Sequence, residues 1–188
     1  MHTTRMIGRI ARFVQDRRGV SAVEFAFIAP VMITLYLGLT EISDGVAVKR
    51  KISLTAGALS NLAAQVATIS STGMTNIFDA STAIINPYAA SRLQMTVTCL
   101  KIDSNGIARV QWSAARNTTS PYSPGATYTF SSTTAPLAVP SSWLILSEVN
   151  YLYTPIVGYY LTGDIPLSDK MFMSPRISPP TYAGTTCT

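Results

Sequence analysis

The residues best placed for chemistry stand where charge gives way to apolarity, in the run Arg17-Arg18-Gly19-Val20-Ser21-Ala22-Val23-Glu24-Phe25. A glycine carries no Cβ, so the backbone beside it can be approached closely and held extended. Five residues past Gly19, Glu24 places a carboxylate in an otherwise apolar stretch, where a charge costs a few kcal/mol unless it finds a partner. Glu24 either pairs with a cation or snorkels to the headgroups from the first turns of a helix. The other chemically capable pair is Cys99 and Cys187, the only two cysteines. Both follow the apolar stretch, so they share one side of a membrane and can form one bridge if that side is oxidising. A loop of that length would gain about 4 to 5 kcal/mol in the chain-entropy model. Two reduced, buried thiols are the alternative; a bridge is favoured because a terminal cysteine has little to pack against unless it is tied down.

The rest of the inventory argues against catalysis. The single histidine, His2, lies in the basic segment ahead of the apolar stretch, so a chain without that segment has no histidine for a triad, a Cys-His pair or a histidine metal site. Asp79, Asp103, Glu148, Asp164 and Asp169 are scattered without metal-ligand spacing, and no glycine-rich phosphate loop is present. The expectation is no enzyme, no metal and no cofactor.

The elements that must position Gly19 and Glu24 are a basic leader and an apolar helix. Val20 to Leu39 is twenty residues long with one charge, enough to cross a hydrocarbon core. Arg5, Arg9, Arg12, Arg17 and Arg18 precede it, while Glu41 and Asp44 come before Lys49-Arg50-Lys51, so the positive-inside bias favours a cytoplasmic N-terminus and an exported body. The opposite orientation keeps some weight because the second basic cluster is close. A secretory signal would end in a small-residue cleavage site after the apolar run, and Leu37-Gly38-Leu39-Thr40-Glu41 offers none. Met6, Ile7, Ile10, Phe13 and Val14 recur at helical spacing among the arginines, which fits a short amphipathic helix on an anionic leaflet or an unstructured basic tail equally well. The formal charge of +5 falls to +1 without residues 1–19, which leaves no basic stripe for nucleic acid.

Basic leader, Gly19 and Glu24 together resemble a class III, prepilin-type signal. The resemblance implies cleavage after Gly19 by a membrane aspartic prepilin peptidase, with Val20 as the new N-terminus. It also implies that Glu24, then the fifth residue, meets the Val20 amine of a neighbouring subunit and sets register in a filament. Glu24-Phe25-Ala26-Phe27-Ile28-Ala29-Pro30, followed by an apolar run and Leu37-Gly38-Leu39-Thr40-Glu41, is similar to the N-terminal segment of TadE-like minor pilins of the tight-adherence (Flp) pilus system. Phe25, Pro30 and Glu41 carry the likeness, which covers about residues 17 to 45. Pro30 removes one helix hydrogen bond and would kink the span. Glu148-Val149-Asn150-Tyr151-Leu152-Tyr153-Thr154-Pro155 and Met173-Ser174-Pro175-Arg176 resemble later parts of the family less specifically, and residues 177 to 188 match no family feature.

Beyond the span, Ile52, Ala56, Leu59, Leu62, Ala63, Val66 and Ile69 keep helical spacing, which predicts a helix to about Ser70, stopped by Ser71-Thr72-Gly73. A short helix is expected over 75–86, ended by Pro87. Leu93 to Leu100 and Ile107 to Ser113 alternate around Asp103-Ser104-Asn105-Gly106 and predict a β-hairpin. Arg116 to Pro140 reads as a long surface loop, Trp143 to Tyr153 as a third strand and Ile156 to Leu161 as a fourth. The expected class is α+β and pilin-like, a long N-terminal transmembrane helix continuing into a small head with an antiparallel sheet. The expected organisation is a cytoplasmic leader (1–19), a transmembrane helix (20–39), a helical stalk (40–72) and an exported head (73–188). The resemblance implies a processed minor pilin in Tad/Flp pilus assembly and surface adhesion. Its implied partners are prepilin peptidase, other pilin subunits, the inner-membrane assembly platform and membrane lipid, with the head periplasmic or at the cell surface in the pilus. The competing reading is an unprocessed, single-span, signal-anchored binding domain that forms no filament. The two differ in what Gly19 and Glu24 are for.

Overall fold

A computed structural model describes residues 19–118, 122–155 and 163–187. Two compact units divide the chain between Ser43 and Asp44.

In the first unit, Gly19 leads into helix α1 (Val20–Ala64), which runs through Pro30 without interruption. Pro30 has no N–H, so the carbonyl of Ala26 loses its helical donor. The hydroxyls that follow are satisfied inside the helix: Thr34 Oγ1 donates to the Pro30 carbonyl, Thr40 Oγ1 to Leu37 and Ser43 Oγ to Leu39, each at 2.8 Å. Such back-bonding lets a hydroxyl sit on an apolar helix without an unpaired donor.

The second unit is the head, built on the remaining half of α1. There the apolar residues narrow to a stripe, and Val48, Ile52, Ala56, Leu59 and Ala63 are all fully buried. Their spacings of three and four put them on one face. That face packs on a five-stranded antiparallel sheet of order β4-β3-β2-β5-β6, where β2 is Leu93–Ile102, β3 Ala108–Arg116, β4 Thr127–Tyr128, β5 Ser142–Tyr153 and β6 Ile165–Met173. Small residues allow a close approach, and Ser147 Oγ on β5 donates to the Ala56 carbonyl of α1 at 2.7 Å. The predicted hairpin is present. Asp103 Oδ1 accepts from the backbone N–H groups of Asn105 and Ile107, so this acid serves the turn.

Both sheet faces are covered, and a bulge makes that possible. Cys99 pairs with Trp112 but Leu100 pairs with Val110, so Gln111 is the extra residue. Trp112 therefore joins the cluster facing α1, while Val110, two residues away, joins Leu100, Ile102, Ala108, Leu144 and Leu146 on the outer face. Tyr122, Tyr128, Phe130 and Phe172 pack over that outer cluster. The stretch 116–140 is thus a cover as well as a loop: it contributes β4 and three of these four aromatics.

Two boundaries differ from the sequence reading. Helix α1 stops at Ala64, and Thr68–Ile69 (β1) pairs in parallel with Thr181–Tyr182 (β7). The segment read as a stop begins helix α2 (Ser71–Thr82), because the Ser70 side chain accepts from the Gly73 N–H at 3.0 Å and caps it. Helix α2 also starts and ends ahead of the expected 75–86, with a 3-10 turn at Ala83–Ile85 completing the span to Pro87. The expected third strand is β5. The expected strand at 156–161 lies outside the described residues, and β6 was not foreseen.

Candidate assembly segment and the head that follows it

Gly19, Val20, Glu24, Phe25 and Pro30 are exposed and Glu41 is half-buried. Among the described residues, a Cβ added at Gly19 would meet nothing within 4 Å. Val20 and Glu24 stand one turn apart on one face of α1, at the i, i+4 spacing that brings side chains together. No ion pair joins Glu24 to another described residue. From Val20 to Ile42 twelve large apolar side chains are exposed, Phe25 at 71% and Phe27 at 76%. The most apolar eighteen-residue window averages a hydropathy of 1.9 with none of it buried. A helix that is apolar all round is stable only where lipid or other helices surround it.

The two cysteines belong to the head. Cys99 and Cys187 form a disulfide with Cα atoms 6.1 Å apart, both buried, so the bridge ties the C-terminal segment to the face of β2 that meets α1. The segment 176–187 therefore has a structural role. The Arg176 N–H donates to the Ala64 carbonyl at 2.9 Å and its guanidinium to Asn61 Oδ1 at 2.7 Å, closing the open end of α1 with a cation. Trp112 Nε1 donates to the Pro180 carbonyl at 2.8 Å, and its ring lies 5.3 Å from that of Tyr182. Nothing local in the tail predicts these contacts, since each partner is far away in sequence.

On the outer face, Lys170 Nζ and Glu148 Oε1 are 2.5 Å apart as a cross-strand pair. The hydrogen bond to Glu148 raises the Lys170 pKa above its ordinary value. Burial, then a hydrogen bond with Glu148, pushes the Tyr122 phenol well above the usual range, and burial also raises Tyr128. At the rim, burial works to raise the Asp169 carboxyl, but hydrogen bonds from Ser53, the Lys170 N–H and Lys49 hold it below its ordinary value.

The fold and segment define a class: an α+β protein with one N-terminal apolar helix long enough to cross a membrane, followed by a small disulfide-bonded head. The family model described as TadE-like protein matches residues 19–67, from the glycine junction through α1. No curated protein and no solved structure matches the chain. The matched residues hold Gly19, Val20, Glu24, Phe25, Pro30 and Glu41, and they end before the sheet.

Proposed function

We propose that this chain is a minor pilin of a Tad-type pilus, inserted through Val20–Leu39 with its N-terminus cytoplasmic and its head exported, and cut after Gly19 by a prepilin peptidase. Its role is assembly rather than catalysis. The observation that carries this reading is a TadE-like segment that leaves twelve large apolar side chains exposed between Val20 and Ile42, with one carboxylate a single turn from the proposed new N-terminus. Cleavage creates an ammonium at Val20. In a bundle of such helices the Glu24 carboxylate needs a cation, and a neighbour's Val20 ammonium supplies one in an environment where a mismatch leaves a charge unpaired. The pair then fixes the axial register of one subunit against the next. The partners are other pilin subunits and the membrane assembly platform.

The test is incorporation into sheared filaments, measured by immunoblot in a host with a working Tad apparatus. Wild type is expected in the sheared fraction, while Glu24→Gln stays in the membrane at normal abundance. Equal incorporation of both proteins would contradict the register role of Glu24.

A further inference from the structure

The head from Asp44 onward carries nine lysines and arginines, and six of them have partners. Lys49, Arg92, Arg116 and Lys170 pair with acids, Lys51 donates to the Ile84 and Asn86 carbonyls, and Arg176 bonds Asn61. Arg50, Lys101 and Arg109 have no acid or carbonyl partner among the described residues. The last two are not randomly placed. Lys101 of β2 stands directly opposite Arg109 of β3, an arrangement that is destabilising for like charges. Lys101 also stands opposite Trp143 of β5, and Arg109 opposite Thr127 of β4. Opposed residues share a sheet face, so Trp143, Lys101, Arg109 and Thr127 form one row about 14 Å long across four strands. Arg109 and Thr127 are exposed, while Lys101 and Trp143 are half-buried, and the Trp143 indole packs against the core cluster that faces α1. The Trp143 indole N–H is buried without an acceptor.

We propose that this row binds an acidic saccharide. Two cations at cross-strand spacing can share one carboxylate through charge-assisted hydrogen bonds, which removes their mutual repulsion. The part of the indole left exposed beside them offers apolar surface and the Thr127 hydroxyl a polar contact, a combination suited to a pyranose ring that carries a carboxylate. An acidic peptide would use the cations but has no need of a flat ring next to them. The row is shallow, so one site binds weakly and many copies on one surface bind by avidity. The inference concerns the head and stands whether or not the chain assembles.

The test uses the full chain in zwitterionic micelles, titrated with oligogalacturonate, its methyl ester and inorganic phosphate, and followed by tryptophan fluorescence and calorimetry. Oligogalacturonate is expected to bind and the methyl ester not to. Lys101→Gln/Arg109→Gln should weaken binding at least tenfold, and Trp143→Phe should weaken it while keeping its salt dependence. The double substitution removes a repulsion, so circular dichroism should show the head folded; if it does not, Arg109→Gln alone carries the comparison. Unchanged affinity in the folded cation variant, equal binding of the methyl ester, or no binding by wild type would overturn the proposal. Phosphate binding as tightly as the sugar acid per site would reduce the row to a generic anion patch and overturn the saccharide assignment.

Discussion

Helix α1 contains two kinds of helix in one continuous element. Before Ser43 its apolar side chains point in every direction and none of its most apolar window is buried; after Asp44 they narrow to the stripe Val48, Ile52, Ala56, Leu59 and Ala63. Backbone geometry is shared, so the difference lies in the surroundings each sequence requires. A stripe needs one packed partner, and the sheet supplies it. A helix that is apolar all round needs apolar neighbours on every side, as lipid or other helices provide.

That contrast can be sharpened first at the bridge that holds the second half's partner together. Cys187→Ser should destabilise the head by about 4 to 5 kcal/mol if the chain-entropy model holds for a separation of 88 residues. Denaturant unfolding of the full chain in micelles, with and without reductant, reads this, and the reduced wild type should behave like the variant. Next, equal truncations in the two halves should have unequal effects. Leu59→Ala should cost the head about 2 to 5 kcal/mol, because it opens a cavity against the sheet. Ile33→Ala, at a residue 58% exposed, should leave head unfolding unchanged. Similar losses at both positions would erase the distinction between the halves.

Alkaline pH tests the sheet's outer face, which α1 does not cover. Tyr122, Tyr128 and Lys170 all have raised pKa values in the folded head. The unfolded chain therefore loses these protons first, and the folded state is destabilised as pH rises past about 10. A melting temperature that falls above that pH in wild type, and falls less in Tyr122→Phe, is the expected result. The smallest effect should come from Arg109→Glu, which replaces a cross-strand repulsion with an attraction to Lys101 and should stabilise the head by a few tenths to about 1 kcal/mol.

Much of this contrast was legible in the sequence because it is local. The apolar run, the stripe, the Asp103-Ser104-Asn105-Gly106 turn and the alternation of β2, β3 and β5 each declare themselves within a few residues. What escaped depends on distant partners or on one cap. Ser70 read as the end of a helix although its side chain begins the next, and the continued apolar spacing at Val66 and Ile69 hid the stop at Ala64. Strand β6 carries no clear strand signal, because an edge strand tolerates the proline and charges of its first residues, Ile165-Pro166-Leu167-Ser168-Asp169-Lys170. The tail owes its order to Cys99, Trp112 and Ala64, none of them nearby in sequence. At the N-terminal site, the residue types were all visible, and Val20 and Glu24 lie on one face as helical spacing requires. The proposed pairing between them needs a second chain, so one chain's sequence and fold do not display it.

The most direct measurement of the central claim is the intact mass of the chain recovered from membranes of a host with its own prepilin peptidase, beside a Gly19→Ala variant. The account predicts a wild-type chain that begins at Val20, and slowed or absent processing in the variant. A wild-type chain that keeps residues 1–19 in the presence of active peptidase would contradict it, leaving a signal-anchored head with no means of presenting a free Val20 amine to Glu24 of a neighbour.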